Sequence, residues 1–144
     1  MPASIKLKLN LTTINQLLDQ NAPKRMLEAT NELRTVVLET LSRKPKADPS
    51  RIYRVPGTKK LYQASSPGDP PATATSDLKK SVKSSVEGRG RSVLGKVKAD
   101  AKHALPLEFG HRQGGKHVAA RPFMKPSFDK SLPVIRFILT RKWF

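Results

Sequence analysis

Glu108 and three nearby histidines are the side chains best suited to acid–base or metal chemistry. Glu108 stands among the apolar residues Leu105, Leu107 and Phe109, a setting that can tune a carboxyl group into a general base. The same carboxylate can instead be a structural hydrogen-bond or salt-bridge partner, with Arg121 as a candidate. We favour the structural role, because an enzyme would need further acids, bases or nucleophiles around it.

The three histidines do not have the spacing of a metal site. His103, His111 and His117 are eight and six residues apart, and Glu108 is the acidic residue near them. A metal ion needs three or four convergent ligands. The chain has no cysteine, which excludes disulfides, thiolate catalysis and Cys-containing zinc sites. We therefore expect loop histidines that are exposed, and no metal, cofactor or catalytic residue.

Two glycine-containing stretches could contact phosphate groups. Gly114-Gly115-Lys116 lacks the upstream glycine and the downstream Ser or Thr of a phosphate-binding loop, so we interpret it as a flexible turn. Gly88-Arg89-Gly90-Arg91 could clamp a phosphate backbone, although a hairpin turn with solvated side chains is the favoured interpretation. The candidates for contact with a partner or with DNA are Lys79, Lys80, Arg89, Arg91, Trp143 and Phe144.

The chain is strongly basic along its whole length. It has 28 Lys and Arg against 11 Asp and Glu, a net charge of +17. Such a charge attracts polyanions, which could be nucleic acid, an anionic membrane or an acidic protein surface, and charge alone does not choose. The few carboxylates form no cluster for metal ions, which argues against a hydrolase or nuclease. No apolar run approaches the roughly 18 residues of a membrane span.

The hydrophobic pattern of the N-terminal half predicts a strand, a long helix and a loop. Apolar and polar residues alternate from Ile5 to Leu11, as in a half-buried strand. A helix over about 22–43 is predicted, with Asn21 as its cap and Pro23 in its first turn. Its apolar stripe is Met26, Leu33, Val37 and Leu41. Six prolines between residues 45 and 76 predict an extended loop, within which a loose hairpin remains an alternative.

The C-terminal half predicts a β-hairpin followed by two helices. The predicted elements are a strand from near Leu78 to Val86, a connection at Gly88–Gly90, a strand over 93–99, a short helix over 101–109, a polar loop at 110–115, and a terminal helix opened by Pro126 and bent or restarted at Pro133. Residues 1–144 are thus predicted to form one α+β domain. A small antiparallel sheet would pack against the long N-terminal-half helix and the C-terminal helix.

Two stretches of the chain carry a specific order of motifs. The first is Pro67-Gly68-Asp69-Pro70-Pro71, followed by Thr75-Ser76-Asp77-Leu78-Lys79-Lys80-Ser81. The second is Leu107-Glu108-Phe109-Gly110-His111, followed by Ala120-Arg121-Pro122-Phe123 and Pro126. Over about residues 52–139 this order and spacing resembles the head–tail joining family of siphophages, also called tail-completion or neck proteins. Asp69, Ser76 and His111 stand where that family usually has Glu, Gly and Thr.

The residues that match the motifs are expected to be structural. Gly110 would allow a turn with positive φ after a buried Phe109, and Arg121 could make a bidentate bond to a carboxylate, with Glu108 nearest. Pro122 would hold the chain extended while Phe123 enters the core. The complete set of motif residues is Pro67, Gly68, Pro70, Pro71, Leu78, Glu108, Phe109, Gly110, Arg121, Pro122, Phe123 and Pro126.

The resemblance implies a structural virion protein of the phage neck and not an enzyme. Copies of the chain would form a cyclic ring around the DNA channel, with an expected six-fold symmetry. The ring would lie between a head-side connector or stopper protein and a tail terminator or tail tube protein, after synthesis in the host bacterial cytoplasm. The Pro-rich loop and Trp143-Phe144 are candidate contacts, and packaged DNA is a candidate partner. A small basic nucleic-acid-binding protein is the alternative, which explains the charge but not the motifs.

Overall fold

Two long helices and three β-hairpins make up the fold of the described residues. The computed structural model describes residues 11–72, 76–89 and 92–142. The helices are α1 (Leu11–Ser42), α2 (Asp77–Lys80), α3 (Ala104–Phe109) and α4 (Met124–Thr140), and the strands are β1 (Ile52–Arg54), β2 (Leu61–Gln63), β3 (Val82–Arg89), β4 (Ser92–Ala99), β5 (His111–Gln113) and β6 (Lys116–Val118). The predicted α+β class, with helices in both halves and small antiparallel sheets, is confirmed.

The first helix is longer than the sequence predicted. It runs without interruption through Asn21 and Pro23, so the prediction of a helix capped at Asn21 is wrong. An internal proline removes a backbone hydrogen bond and costs stability, and here Arg25 and Ala29 are buried directly after it. Leu11, predicted as the end of a strand, opens α1. The remainder of that predicted strand lies outside the described residues.

The core lies where α1 meets the β3–β4 hairpin and α3. Its buried members are Val37, Leu41, Leu78, Val82, Ala104 and Phe123. Two of the four residues of the predicted α1 stripe, Val37 and Leu41, are almost fully buried, and Met26 and Leu33 are half-buried. Helix α1 also packs against α4. In that contact the hydroxyl of the buried Ser127 donates a hydrogen bond to Thr40 Oγ1 at 2.9 Å.

The β3–β4 hairpin is the predicted one, with a different start. It pairs antiparallel from Val82 with Ala99 to Arg89 with Ser92. Leu78 was expected near the start of the strand but lies in the short helix α2, where it is buried. Side chains alternate along each strand, so every second residue faces α1 and the others face solvent. The connection at residues 90 and 91 lies outside the described residues.

Both segments predicted as loops contain hairpins. In the proline-rich segment, β1 pairs with β2 and places Tyr53 opposite Tyr62. The stretch predicted as a polar loop at residues 110–115 is instead the β5–β6 hairpin. Its turn is Gly114-Gly115, with φ of +57° and +77°, and two successive positive φ values are what the preferred two-residue hairpin turn requires.

The last helix begins earlier than predicted and runs on through Pro133. Helix α4 starts at Met124, so Pro126 lies in its first turn instead of opening it. Pro133 lies inside the helix, so of the predicted bend or restart the restart does not occur. The lost N–H of Pro133 costs one hydrogen bond, while both ends of α4 are held by charged side chains.

Candidate functional site

The N-terminus of α4 is capped by the carboxylate of Glu108. Backbone N–H groups of Phe123 and Met124 donate to Glu108 Oε2 at 2.8 and 3.0 Å, and that of Lys125 donates to Oε1 at 3.0 Å. The first N–H groups of a helix have no partner within the helix, and a negative charge there is favoured by the helix dipole. Because Glu108 lies in the last turn of α3, its carboxylate joins α3 to α4.

This geometry gives Glu108 a structural role with an unexpected partner. Both carboxylate oxygens accept hydrogen bonds from the backbone of α4. The expected pairing with Arg121 is wrong, since no ion pair joins the two residues in the described part of the chain. The sequence missed the cap because Glu108 precedes the helix by 16 residues, whereas local capping motifs span three.

Backbone hydrogen bonds join the two motif stretches at the same place. The N–H of Gly68 donates to Ala120 O at 3.0 Å, and the N–H of Arg121 donates to Leu107 O at 2.6 Å. The Pro-Gly turn of the first stretch therefore touches the segment that leads into α4, and that segment touches α3. We call the cluster of Gly68, Leu107, Glu108, Ala120 and Arg121 the motif junction.

Two further expectations for the motif residues are confirmed and one is wrong. Gly110 has φ of +75°, and a Cβ there would lie 2.9 Å from the carbonyl oxygen of Val118. Phe123 is 1% exposed and enters the core, directly after a segment without regular secondary structure that contains Pro122. Phe109 was expected to be buried, but it is 74% exposed. Phe109 is the last residue of α3. The opposite end of α3 is the buried one, since Ala104 lies in the core.

The proline residues of the first motif differ in their surroundings. Pro71 is buried, Pro70 is half-buried and Pro67 is exposed. Pro71 also lines a small cavity of about 170 Å³ together with Ser65, Lys79, His103 and Arg121, among others.

That cavity has an electropositive lining. Lys79, His103 and Arg121 line it and no carboxylate does. The Nε of Arg121 is buried and has no hydrogen-bond acceptor among the described residues, and neither has the hydroxyl of Ser65. A cavity with such a lining suits an oxyanion and not a cation.

An apolar groove opens between α3 and α4. It encloses about 680 Å³, and its exposed apolar walls are Leu105, Phe109 and Phe128, which are 68%, 74% and 42% exposed. Phe123 and Met124 form part of its floor. We call the surface formed by Leu105, Phe109 and Phe128 the α3–α4 groove.

The three histidines do not form a group that could bind a metal ion in the described residues. His111 and His117 lie on β5 and β6, and His103 lies before α3. In residues 11–72, 76–89 and 92–142, no group of three or more His, Asp or Glu side chains could hold a metal ion. His103 and His117 are exposed as expected, but His111 is half-buried and all but His103 lie in strands.

The structure describes only some of the residues that were predicted to contact a partner or DNA. Lys80 and Arg89 are exposed, and Lys79 is half-buried. Arg91, Trp143 and Phe144 lie outside the described residues. The solvent face of the neighbouring β3–β4 hairpin carries lysines that have carboxylate partners: Lys83 and Lys98 pair with Asp100, each at 3.3 Å, and Lys96 pairs with Glu87 at 3.1 Å.

A second group of cations lies around the β1–β2 hairpin, in and beside the Pro-rich loop that was predicted as a candidate contact, although none of its Arg and Lys residues was singled out. Its members are Arg43, Lys44, Lys46, Arg54, Lys59 and Lys60. The signal that could have identified them is the concentration of Arg and Lys near Tyr53 and Tyr62 within residues 43–62.

Comparison with family models, with curated proteins and with solved structures finds no match to this chain. Among the described residues, no helix combines the length and the apolar character needed to cross a membrane.

Proposed function

We propose that this chain is a structural subunit of the neck of a long-tailed bacteriophage. Copies of it form a ring that joins the DNA-filled head to the tail around the DNA channel. The proposal rests on the resemblance of its two motif stretches to head–tail joining proteins, and the geometry of those stretches supports it.

The observation that carries the proposal is the motif junction. The residues responsible for the resemblance are far apart in sequence, yet Gly68 is bonded to Ala120, and Glu108 caps the helix that follows Arg121. Hydrogen bonds to backbone groups connect these residues and hold α3 against α4. They therefore keep the surface between α3 and α4 in a fixed position, and a joining protein needs such a fixed surface to contact its neighbours.

The exposed apolar surface supports assembly with a neighbour. Leu105 and Phe109 are each more than two-thirds exposed and stand side by side with Phe128 in the α3–α4 groove. Contiguous apolar surface of this kind commonly marks a protein–protein contact. We propose that a second copy of the chain covers this groove, in a head-to-tail contact that closes into a ring.

The ring has two further neighbours in this proposal. One face meets a head-side connector or stopper protein, and the other meets a tail terminator or tail tube protein. The small electropositive cavity beside Arg121 is suited to a carboxylate from one of these partners. The protein would be made in the host bacterial cytoplasm and would end at the head–tail junction of the virion.

Immunolabelling of phage particles tests the location. Particles of the phage that encodes this chain are labelled with an antibody raised against it and imaged by negative-stain electron microscopy. We expect label at the head–tail junction. Label elsewhere on the particle, or its absence from particles in which the antigen is accessible after mild disruption, would reject the neck assignment.

A complementation experiment tests the groove. A phage lacking this gene is supplied with the variant Leu105→Ser/Phe109→Ser, and joined particles are counted against free filled heads and free tails. We expect free heads and tails to accumulate. The matched control is Leu94→Ser on β4, which removes a side chain 53% exposed but outside the groove and should support joining. Equal joining by both variants would exclude the groove as the contact.

A further inference from the structure

The cations around the β1–β2 hairpin have no carboxylate partners among the described residues. We call them the basic hairpin surface, and its members are Arg43, Lys44, Lys46, Arg54, Lys59 and Lys60, all exposed. One acidic residue, Asp48, lies between residues 43 and 63. It pairs with Arg51 at 3.2 Å and so leaves the six cations of the surface unneutralised.

Several contacts connect the backbone segments that carry these cations. The side chain of Gln63 on β2 donates a hydrogen bond to Lys46 O, which ties the hairpin to the segment that follows α1. Arg43 and Lys44 line a shallow groove together with Tyr62. At the other end of the hairpin, the N–H of Val55 donates to Lys60 O at 2.9 Å and closes the turn that carries the two lysines.

The two tyrosines contact each other across the hairpin. Tyr53 and Tyr62 are directly paired in register, and their ring centroids are 6.2 Å apart with an interplanar angle of 40°. Such a pair stabilises a hairpin that is too short to be stable on its own strands. Rings engaged with each other are less available for stacking on unpaired bases, while their hydroxyls remain suited to bond phosphate oxygens.

We propose that the basic hairpin surface binds the phosphate backbone of duplex DNA. Unpaired, exposed Arg and Lys side chains supply the sequence-independent part of DNA binding. Single-strand binding would use base stacking on aromatic faces, whereas the rings of Tyr53 and Tyr62 are in contact with each other. The surface differs from the β3–β4 lysines Lys83, Lys96 and Lys98, whose charge is partly neutralised by Asp100 and Glu87. The choice of duplex DNA rests on the proposed neck function, because the DNA that passes through a phage neck is double-stranded.

A charge-matched pair of variants tests the surface. The test variant is Arg54→Gln/Lys59→Gln/Lys60→Gln. The control is Lys116→Gln/Lys130→Gln/Arg136→Gln, which removes the same charge at exposed residues on β6 and α4 that have no ion-pair partner in the described chain. Circular dichroism and urea midpoints establish that both variants fold as the wild type does.

Fluorescence anisotropy with a labelled duplex of about 30 base pairs, titrated at several salt concentrations, gives the affinity and its salt dependence. For three lost phosphate contacts we expect the slope of log Kobs against log salt to become shallower by about 3, with at least roughly tenfold weaker binding near 0.15 M salt. The control should change the slope by less than about 1. Arg54→Lys, which keeps the charge, should retain the wild-type slope.

Three results would overturn the inference. Equal losses in the test and control variants would show that net charge alone drives binding. Tighter binding to a single strand of the same sequence than to the duplex would reject duplex DNA. Binding to polyglutamate that the test variant loses, without binding to DNA, would assign the surface to an acidic protein. Each of these outcomes is separate from the immunolabelling result, so the surface can fail while the neck location holds, and the reverse.

Discussion

Removing the carboxylate of Glu108 should weaken the contact between α3 and α4 and lower the free energy of unfolding. In Glu108→Ala, three backbone N–H groups lose acceptors that lie 2.8 to 3.0 Å away. Loss of a helix cap costs about 0.5–2 kcal/mol, and a hydrogen bond to a charged group contributes about 1.5–3 kcal/mol. Since the side chain is half-buried and water can replace part of the loss, we expect a decrease in unfolding free energy of about 2 kcal/mol.

Urea denaturation followed by circular dichroism measures this loss. With a slope of about 2 kcal/mol per molar urea for a domain of this size, the midpoint should fall by about 1 M. Glu108→Gln keeps one carbonyl acceptor but loses the charge, and should fall about half as far. The matched control is Glu87→Ala, which removes a 60% exposed carboxylate paired with Lys96 and should cost no more than about 0.5 kcal/mol. Equal midpoints for Glu108→Ala and Glu87→Ala would refute the capping role.

Three other perturbations have definite expected results. Gly95→Ala should lower the unfolding free energy by about 1–3 kcal/mol, because its Cβ would lie 2.9 Å from Met26 Sδ on α1; an unchanged urea midpoint would contradict the close approach of β4 to α1. Arg25→Gln should cost about 2 kcal/mol, since the buried guanidinium donates to carbonyl oxygens at the C-terminal end of α4; a cost below that of an exposed Arg→Gln change would reject this cap. Hydrogen bonds from two lysines hold the pKa of Asp100 below its ordinary value of 3.8, so its stabilising contribution is present above that value and lost as pH falls through the lowered pKa. The urea midpoint of wild type should therefore exceed that of Asp100→Asn at about pH 5 and approach it near pH 3; a pH-independent difference would exclude the ion pairs.

Period and spacing predicted the elements whose signals are local. The α1 stripe that includes Val37 and Leu41, and the alternation of β4, follow from burial of one face of a helix or strand. These predictions succeeded because the core lies on the side that the hydrophobic pattern marks.

The errors arose where tertiary contacts override local signals. Pro23 and Pro133 read as helix boundaries, yet both lie inside helices whose packing offsets the loss of one hydrogen bond each. The burial expected of Phe109 came from its apolar character alone, and its 74% exposure depends on how α3 leaves the core. The β5–β6 hairpin was missed because its strands are three residues long and polar.

The candidate site was predictable in its members but not in its connections. The sequence singled out Glu108 and Arg121 and paired them, because a carboxylate and a guanidinium are natural partners. In the fold the carboxylate instead lies at the N-terminus of α4, where three backbone N–H groups donate hydrogen bonds to it. A pairing between residues this far apart in sequence depends on the angle between α3 and α4, which no residue pattern encodes.

The two charged caps of α4 explain how a helix with an internal proline can hold one wall of the α3–α4 groove in place. Glu108 opposes the positive pole of the helix and Arg25 the negative pole, so both ends are tied to other elements. Phe128 then keeps its place beside Leu105 and Phe109 even though Pro133 weakens the middle of the helix. In the proposed neck function, variants in the motif junction should disturb joining through folding stability, because its residues fix α3 against α4. Variants in the groove should disturb it at unchanged stability, and this difference separates the residues that build the surface from those that would touch the neighbouring copy.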